Sequence, residues 1–218
     1  FKINKDSTVH RPVPVDAVTV EHVDKNGKVD GYHLFIGLFT SVTYSRSASD
    51  IPYLRQKIDD VIEKADFPEG GHDDKTMRHI LEKYPRDELF QIETDQLYKN
   101  ANSILRLQER QKISLFLRPY LFGSAVACMI YIPRDRFETR MRLRFQRILE
   151  KQFDGQTKAF YITLDDSIFV RVILLIEYNE ANRKKIDEVR LEKILQQAGR
   201  AWDESLEEEL NVKFAADA

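Results

Sequence analysis

The sequence has few of the features that mark secreted, membrane-spanning or nucleic-acid-binding proteins. Its 218 residues contain one cysteine, Cys128, so no disulfide can form within the chain, and we expect a reducing, cytoplasmic setting. No apolar run reaches the roughly 18–20 residues that a membrane-spanning helix needs. The formal net charge is −2 at pH 7, which gives no long-range attraction to nucleic acid or to an anionic membrane.

Motifs for nucleotide binding and catalysis are also missing from the sequence. It contains no G-x-G-x-x-G fingerprint and no Walker loop, and no serine or cysteine stands in a known nucleophile motif. Asp165 and Asp166 fit a turn better than acid–base catalysis. The histidines lack metal-ligand spacing; they are His10, His22, His33, His72 and His79. We therefore predict no catalytic, cofactor-binding or metal-binding residue in this chain.

The second half of the sequence is organised around one apolar strand and the helix that follows it. Residues 125–132 (AVACMIYI) form an unbroken apolar run, which is typical of a strand covered on both faces. Pro133 ends that strand, and Asp135 is predicted to cap the following helix. Asp154-Gly155 is predicted to end the helix, with Gly155 as the residue after its C-cap. Apolar residues recur every three or four positions in the helix and predict one buried stripe: Phe137, Met141, Phe145, Ile148 and Leu149.

Further elements surround this pair. Strands are predicted at residues 112–118, 157–164 and 168–178, and a last helix from Asn182. The order β-β-α-β-β-α indicates an α+β fold, in which an antiparallel sheet of the ferredoxin-like type carries helices on one face. We expect strand 112–118 to occupy the edge that the last strand of the usual order fills.

The first half predicts a β-hairpin followed by helices. Asn26-Gly27 lies between two strand-like patterns, which is the strongest short-range hairpin signal, and Gly37 indicates a bulge or a close backbone contact. Helices are predicted at about 52–65, 74–84 and 94–111, with a short turn at 86–91. A lone hairpin is marginally stable in water, so we expect it to belong to a sheet that this chain does not fully contain.

Six arginines crowd the end of the apolar strand and the next helix: Arg134, Arg136, Arg140, Arg142, Arg144 and Arg147. Four of them are spaced by four, four and three residues and so share one helix face: Arg136, Arg140, Arg144 and Arg147. Guanidinium groups at this spacing can hold a carboxylate, a phosphate or an acidic neighbouring domain. The alternative is a solvated basic face paired with Glu138 and Glu150. The candidate interdomain or effector contacts are Arg134, Asp135, Arg136 and Arg140.

Five segments in order resemble the large bacterial NAD-specific glutamate dehydrogenases. They are residues 36–45 (IGLFTSVTYS), 50–62 (DIPYLRQKIDDVI), 81–92 (LEKYPRDELFQI), 107–118 (LQERQKISLFLR) and 127–142 (ACMIYIPRDRFETRMR). The resemblance implies a fragment of the long N-terminal region of such a chain, which holds ACT-like domains and a PAS-like one. The dinucleotide-binding and catalytic domains come later in these chains, so NAD is expected for the parent enzyme and no cofactor in this segment.

The resemblance also implies a division into four regions. Residues 1–41 would be a β-hairpin at the end of a truncated upstream PAS- or ACT-like domain, and 42–111 a helical linker. Residues 112–180 would form an ACT-like domain, and 181–218 a C-terminal helix and acidic tail. The expected partners are other domains and subunits of the same cytoplasmic homo-oligomer, which oxidises L-glutamate to 2-oxoglutarate and ammonia.

Two other functions stay open. The first is a module that senses a small ligand, because ACT domains bind amino-acid effectors; the arginines around residues 134–140 would hold it. The turn at 119–123 (PYLFG) lacks the glycine-rich effector loop of that class. The second is a nucleic-acid-binding module. Strand 168–178 (IFVRVILLIEY) lacks the glycine and interleaved aromatic residues of an RNA-recognition strand.

Overall fold

The computed structural model describes residues 1–9, 13–107, 110–120, 124–178 and 186–200. The chain forms two compact units. The first comprises Phe1–Glu109 with Tyr120–Gly123, and the second Arg110–Pro119 with Ser124–Ala218. Within the described residues, none of the helices has the length and apolar character needed to cross a membrane. The four-region division inferred from the resemblance stays a prediction.

The first unit begins with a three-stranded antiparallel sheet, in the order β1 (Lys2–Asp6), β2 (Pro14–Val23) and β3 (Val29–Gly37). The predicted hairpin is confirmed: Gly27 has φ +80°, and the Asp24 carboxylate accepts the backbone N–H groups of Asn26 and Lys28 at 2.8 and 2.9 Å. Strand β1 was not apparent in the polar N-terminal sequence.

The expectation for Gly37 is wrong. A Cβ at Gly37 would meet nothing within 4 Å, and the register irregularity of this pair lies at His22/Val23. The glycine therefore marks neither a bulge nor a close contact, and the hairpin bulge is close to the turn.

Five helices follow in the first unit: α1 (Ser41–Ser45), α2 (Pro52–Ala65), α3 (His72–Glu82), α4 (Arg86–Gln91) and α5 (Thr94–Leu107), with a 3-10 turn at Ala48–Asp50. Pro52 occupies the first turn of α2, where its missing N–H costs nothing. The apolar stripes of the longer helices pack into one core, which contains Leu54, Val61, Met77, Leu81, Leu89, Leu97 and Ala101, all at most 1% exposed.

The second unit is a four-stranded antiparallel sheet with helices on one face. Its elements are β4 (Ser114–Pro119), β5 (Ala125–Pro133), α6 (Thr139–Phe153), β6 (Gly155–Thr163), β7 (Phe169–Tyr178) and α7 (Glu188–Ala198). The spatial order β4-β5-β7-β6 puts β4 at an edge beside β5. This is the ferredoxin-like sheet with its usual last strand placed first in the chain, as the sequence predicted.

The core of the second unit lies between this sheet and both helices. Alternate residues of β5 and β7 point to the helices because side chains in a strand alternate between faces. Phe145 and Leu149 of α6 and Leu195 of α7 are 0% exposed against them. The start of the last helix predicted at Asn182 and the acidic tail lie outside the described residues; in the described part, α7 begins at Glu188, and the Asp187 side chain caps it by accepting the Arg190 N–H.

The predicted cap of helix α6 is wrong, and its predicted end is confirmed with a different residue in the decisive role. The helix begins at Thr139 after Glu138, so Asp135 lies in a preceding 3-10 turn and does not cap it. The helix ends at Phe153, as predicted, but Asp154 adopts the left-handed conformation (φ 50°), and Gly155 starts β6. A Cβ at Gly155 would lie 2.4 Å from the carbonyl oxygen of Glu177, so glycine is needed there for close strand approach and not for a helix end.

Candidate functional site

The candidate contacts predicted from sequence lie where β5 leads into α6. Arg134, Asp135 and Arg136 form a 3-10 turn, and Arg140 is exposed in the first turn of α6. Arg134 is bound within its own unit: its N–H donates to Ile168 O at 2.9 Å, and its guanidinium donates to Asp165 O at 2.7 Å. Arg134 therefore anchors the β6–β7 turn, while Arg140 projects from the surface of this unit.

The arginines of α6 do not form one uniform face. Arg144 donates to the carbonyl oxygen of Ala198 at 2.7 Å, where it caps the C-terminal end of α7. Arg142 is 9% exposed, and its guanidinium lies 4.2 Å from the ring centre of Phe160 on β6. Arg140 and Arg147 are exposed. The spacing in the sequence predicted a shared helix face for Arg136, Arg140, Arg144 and Arg147. Arg136 instead lies in the 3-10 turn before α6, and Arg144 is bound to the end of α7.

A chain of polar contacts continues from Arg142 along α6 to the edge strand β6. Arg142 donates to Gln146 Oε1 at 2.8 Å, and Gln146 donates to Glu150 Oε1 at 3.0 Å. The same Glu150 oxygen accepts the backbone N–H of Thr157 at 3.0 Å. Burial opposes ionisation of Glu150, but the hydrogen bonds from Gln146 and Thr157 outweigh it and lower the pKa of this carboxyl.

Helix α7 satisfies the outer backbone edge of β4 with three side chains spaced four residues apart. Glu188 accepts the Leu117 N–H at 2.9 Å, and Glu192 accepts the Leu115 N–H at 3.1 Å. Gln196 donates to the Ile113 carbonyl at 2.8 Å. These groups occupy the positions that an added strand would bond, so the edge is closed to strand pairing.

Burial raises the pKa of the Glu188 carboxyl; the bond from Leu117 opposes the rise, and the charge of Glu192 adds to it. The sequence contains a signal for this arrangement, the glutamate, glutamate and glutamine at positions 188, 192 and 196. Such a pattern is normally attributed to a solvated helix face, so it was missed.

The first unit contains a buried lysine that sequence reasoning also missed. Lys57 on α2 is 7% exposed and donates to the carbonyl oxygens of Leu89 and Ile92 at 3.0 and 2.8 Å, which caps the end of α4. Its ammonium also lies 4.8 Å from the Tyr53 ring centre. Burial lowers the pKa of Lys57, and the charge of Glu93 opposes this shift. These contacts indicate a structural cation.

A second polar cluster joins the three-stranded sheet to α4. Lys2 lies 2.8 Å from Asp16 and 3.3 Å from Asp87, and Tyr44 donates to Asp87 at 3.0 Å. Burial raises the pKa of the Asp16 carboxyl, and the hydrogen bond and charge of Lys2 oppose the rise. These contacts fix only the base of the sheet.

The remaining candidates have structural positions in the described residues. Cys128 is buried in the central strand, and the Asp165 carboxylate accepts the Ser167 N–H at 3.0 Å within the β6–β7 turn. His10 lies outside the described residues. In the part of the chain that the structure describes, no group of three histidine, cysteine or acidic side chains is arranged to hold a metal ion.

Family models match the helical part of the first unit and the sheet of the second. The family model for glutamate dehydrogenase helical motif 1 matches residues 51–110, which include α2 to α5. The model for the glutamate dehydrogenase ACT2 domain matches residues 114–203, which include the four-stranded sheet. The chain belongs to the glutamate dehydrogenase family. The β-β-α-β-β-α unit is therefore its ACT2 domain, and the α2–α5 bundle is its helical motif 1.

Curated relatives of this glutamate dehydrogenase segment are much longer proteins. It is 35% identical to the NAD-specific glutamate dehydrogenase of Halomonas elongata and 37% identical to that of Pseudomonas aeruginosa, over 198 residues in each case. These alignments cover 91% of this chain and 12% of each relative. The Mycobacterium tuberculosis enzyme is 25% identical over 191 residues, which are 80% of this chain and 11% of that protein. The chain thus spans about one eighth of the length of the first two relatives.

Proposed function

We propose that this chain is a regulatory or scaffolding segment of an NAD-dependent glutamate dehydrogenase. The parent enzyme would convert L-glutamate and NAD to 2-oxoglutarate and ammonia with catalytic residues and an NAD site that lie outside this segment. The observation that carries the proposal is the match to helical motif 1 and the ACT2 domain, in that order and on two separate structural units. The buried charged groups Lys57 and Arg142 are engaged in structural contacts, which supports an architectural role.

The partners we propose are other domains and subunits of the same cytoplasmic homo-oligomer. The exposed start of α6 is the candidate contact, because Arg140 extends from it and the positive end of the helix dipole adds to its charge. Arg134, Asp135 and Arg136 lie in the adjoining turn. An acidic surface of the parent enzyme would complement this end of the unit.

Two experiments test the proposal. The purified 218-residue chain, mixed with glutamate and NAD, should produce no NADH, while the full-length parent produces it. In the parent, Arg136→Glu combined with Arg140→Glu should weaken subunit assembly about tenfold, measured by sedimentation at several protein concentrations. Lys151→Glu with Lys193→Glu makes the same charge change at exposed positions of α6 and α7 and should leave assembly unchanged. NADH production by the isolated chain would contradict the proposal.

Amino-acid sensing is the second candidate function, and the ACT2 match is the observation that favours it. The exposed Arg140 is the candidate contact for a carboxylate-bearing effector, because Arg134 and Arg144 already bond backbone carbonyls. Calorimetric titration of the 218-residue chain with the twenty amino acids separates the two functions. Saturable heat that Arg140→Ala removes would favour sensing, and absence of heat across the panel would favour the scaffolding role.

A further inference from the structure

The hairpin formed by β2 and β3, here called the ribbon, exposes large apolar side chains on both faces. The register pairs Val18 with Phe35 on one face and Thr19 with Leu34 on the other. The first face carries Val18, Val20 and Phe35, which are 43%, 49% and 61% exposed. The opposite face carries Tyr32, Leu34 and Ile36, which are 67%, 55% and 60% exposed.

This distribution differs from that of a sheet with a solvent face. An antiparallel sheet with one face in water alternates apolar and polar residues, so that one face is polar. Neither face of the ribbon is polar in this way, and a two-stranded hairpin alone is marginally stable in water. Burial ends at the base, where Ala17 is 1% exposed. Contiguous exposed apolar surface of this kind marks an interaction site.

The ribbon also has unpaired edges. Phe1 and strand β1 pair with β2 from Pro14 to Ala17, and beyond Ala17 β2 pairs with β3 alone within the described residues. The outer edge of β3 pairs with no strand among the described residues. Both the faces and the backbone edges of the ribbon are therefore available to another piece of polypeptide.

We propose that a segment of the parent enzyme's own chain, outside these 218 residues, packs on both faces of the ribbon and completes its sheet. This inference rests on the proposed function, in which the chain is one part of a much longer enzyme. The relatives supply the polypeptide for this role, because the aligned segment is about 12% of their length. A second copy of this chain is a poorer occupant: a two-fold contact covers the same face of both ribbons and leaves the opposite face of each bare.

Hydrogen exchange measured by mass spectrometry tests the inference. Peptides covering residues 17–36 are compared between the 218-residue chain and the full-length parent under the same conditions. We expect exchange at least tenfold slower in the parent, because covering the faces suppresses local opening of the ribbon. Peptides from β5 serve as the internal reference and should exchange at similar rates in both proteins.

Two single substitutions test each face separately. Leu34→Ser and Phe35→Ser alter neighbouring residues on opposite faces, and Lys25→Ser in the exposed turn is the matched control. In the parent, each apolar substitution should raise ribbon exchange at least tenfold and the control should not. In the 218-residue chain, all three should change ribbon exchange less than threefold.

Three outcomes would overturn the inference. One is equally fast ribbon exchange in the parent and in the 218-residue chain. Another is protection that appears in the 218-residue chain only as its concentration rises, because this would identify a second copy as the occupant. The third is sensitivity to only one of the two faces. If the parent oxidises glutamate with NAD but its ribbon is unprotected, only this inference is wrong. If the parent lacks that activity, the proposed function is wrong.

Discussion

The two sheets of this molecule differ in how their apolar side chains are covered. The four-stranded sheet of the ACT2 domain covers one face with α6 and α7, and side chains from both helices reach its edge strands. The ribbon of the first unit has no such cover on its outer part, and residues such as Phe35 remain mostly exposed. Their strands are similar in length, but β5 and β7 are richer in apolar residues than β2 and β3, and α6 and α7 lie close in the chain to bury those residues.

This difference in cover indicates which parts of the polypeptide stabilise each sheet. The ACT2 domain buries the helix-facing apolar residues of β5 and β7 with elements encoded next to them in the chain. Its edges are also closed locally, because Glu150, Glu188 and Glu192 accept the outward N–H groups of β6 and β4. Within the described residues, no helix covers the outer part of the ribbon, which is why we assign its cover to more distant polypeptide of the parent enzyme.

The largest expected effect compares one phenylalanine from each region. Phe145→Ala removes a side chain that is 0% exposed, and we expect it to destabilise the ACT2 domain by about 4 kcal/mol. Phe35→Ala removes one that is 61% exposed, and in the 218-residue chain we expect a change below about 0.5 kcal/mol. Urea unfolding followed by hydrogen exchange resolves the two units. Equal losses for both variants would mean that the ribbon is already buried in this chain.

A smaller effect compares two glycines. Gly155→Ala puts a Cβ 2.4 Å from the Glu177 carbonyl oxygen in a strand that cannot move freely, so we expect a loss of about 2–3 kcal/mol. Gly37→Ala places its Cβ where nothing lies within 4 Å, and the lower entropy of the unfolded chain should make it neutral or stabilising by up to about 1 kcal/mol. The thermal unfolding midpoints of the two variants measure this contrast, which vanishes if Gly155→Ala is neutral.

The smallest effect concerns the carboxylates that close the sheet edges, and it has opposite signs at the two edges. The raised pKa of Glu188 means that its contribution to stability is present below the ordinary value of 4.5 and is lost as the pH rises through the folded-state pKa. The lowered pKa of Glu150 means that its contribution is present above the ordinary value and is lost as the pH falls through the folded-state pKa.

Glu188→Gln should therefore gain stability relative to the unmodified chain as the pH rises from 4 to 7, and Glu150→Gln should lose it. Both changes should amount to a few tenths of a kcal/mol, because these side chains are partly exposed to solvent. Urea unfolding at four pH values in this range measures them. The free energy of unfolding of each variant, relative to the unmodified chain, is plotted against pH. Slopes of the same sign for the two variants would contradict the opposite pKa shifts of Glu188 and Glu150.

Much of the fold was predictable because it depends on local patterns. The apolar run before Pro133, the Asn26-Gly27 turn and the helical stripes each specify one element, and the order of elements indicates the ferredoxin-like sheet. The candidate site was less predictable. Helix spacing placed four of the arginines on one face, but it could not show that one of them, Arg144, would meet the end of α7. It also gave no sign that Arg142 would lie on Phe160.

The sequence by itself determined the type and order of the secondary structure elements, because hydrophobic period, proline, glycine and turn residues act over a few neighbouring positions. Only the tertiary structure decided what the polar side chains do. Glu188 and Glu192 close the β4 edge, Lys57 caps α4, and Gly155 permits two strands to approach. Each of these roles depends on a partner far away in the chain, and a local pattern contains no information about a partner at that distance.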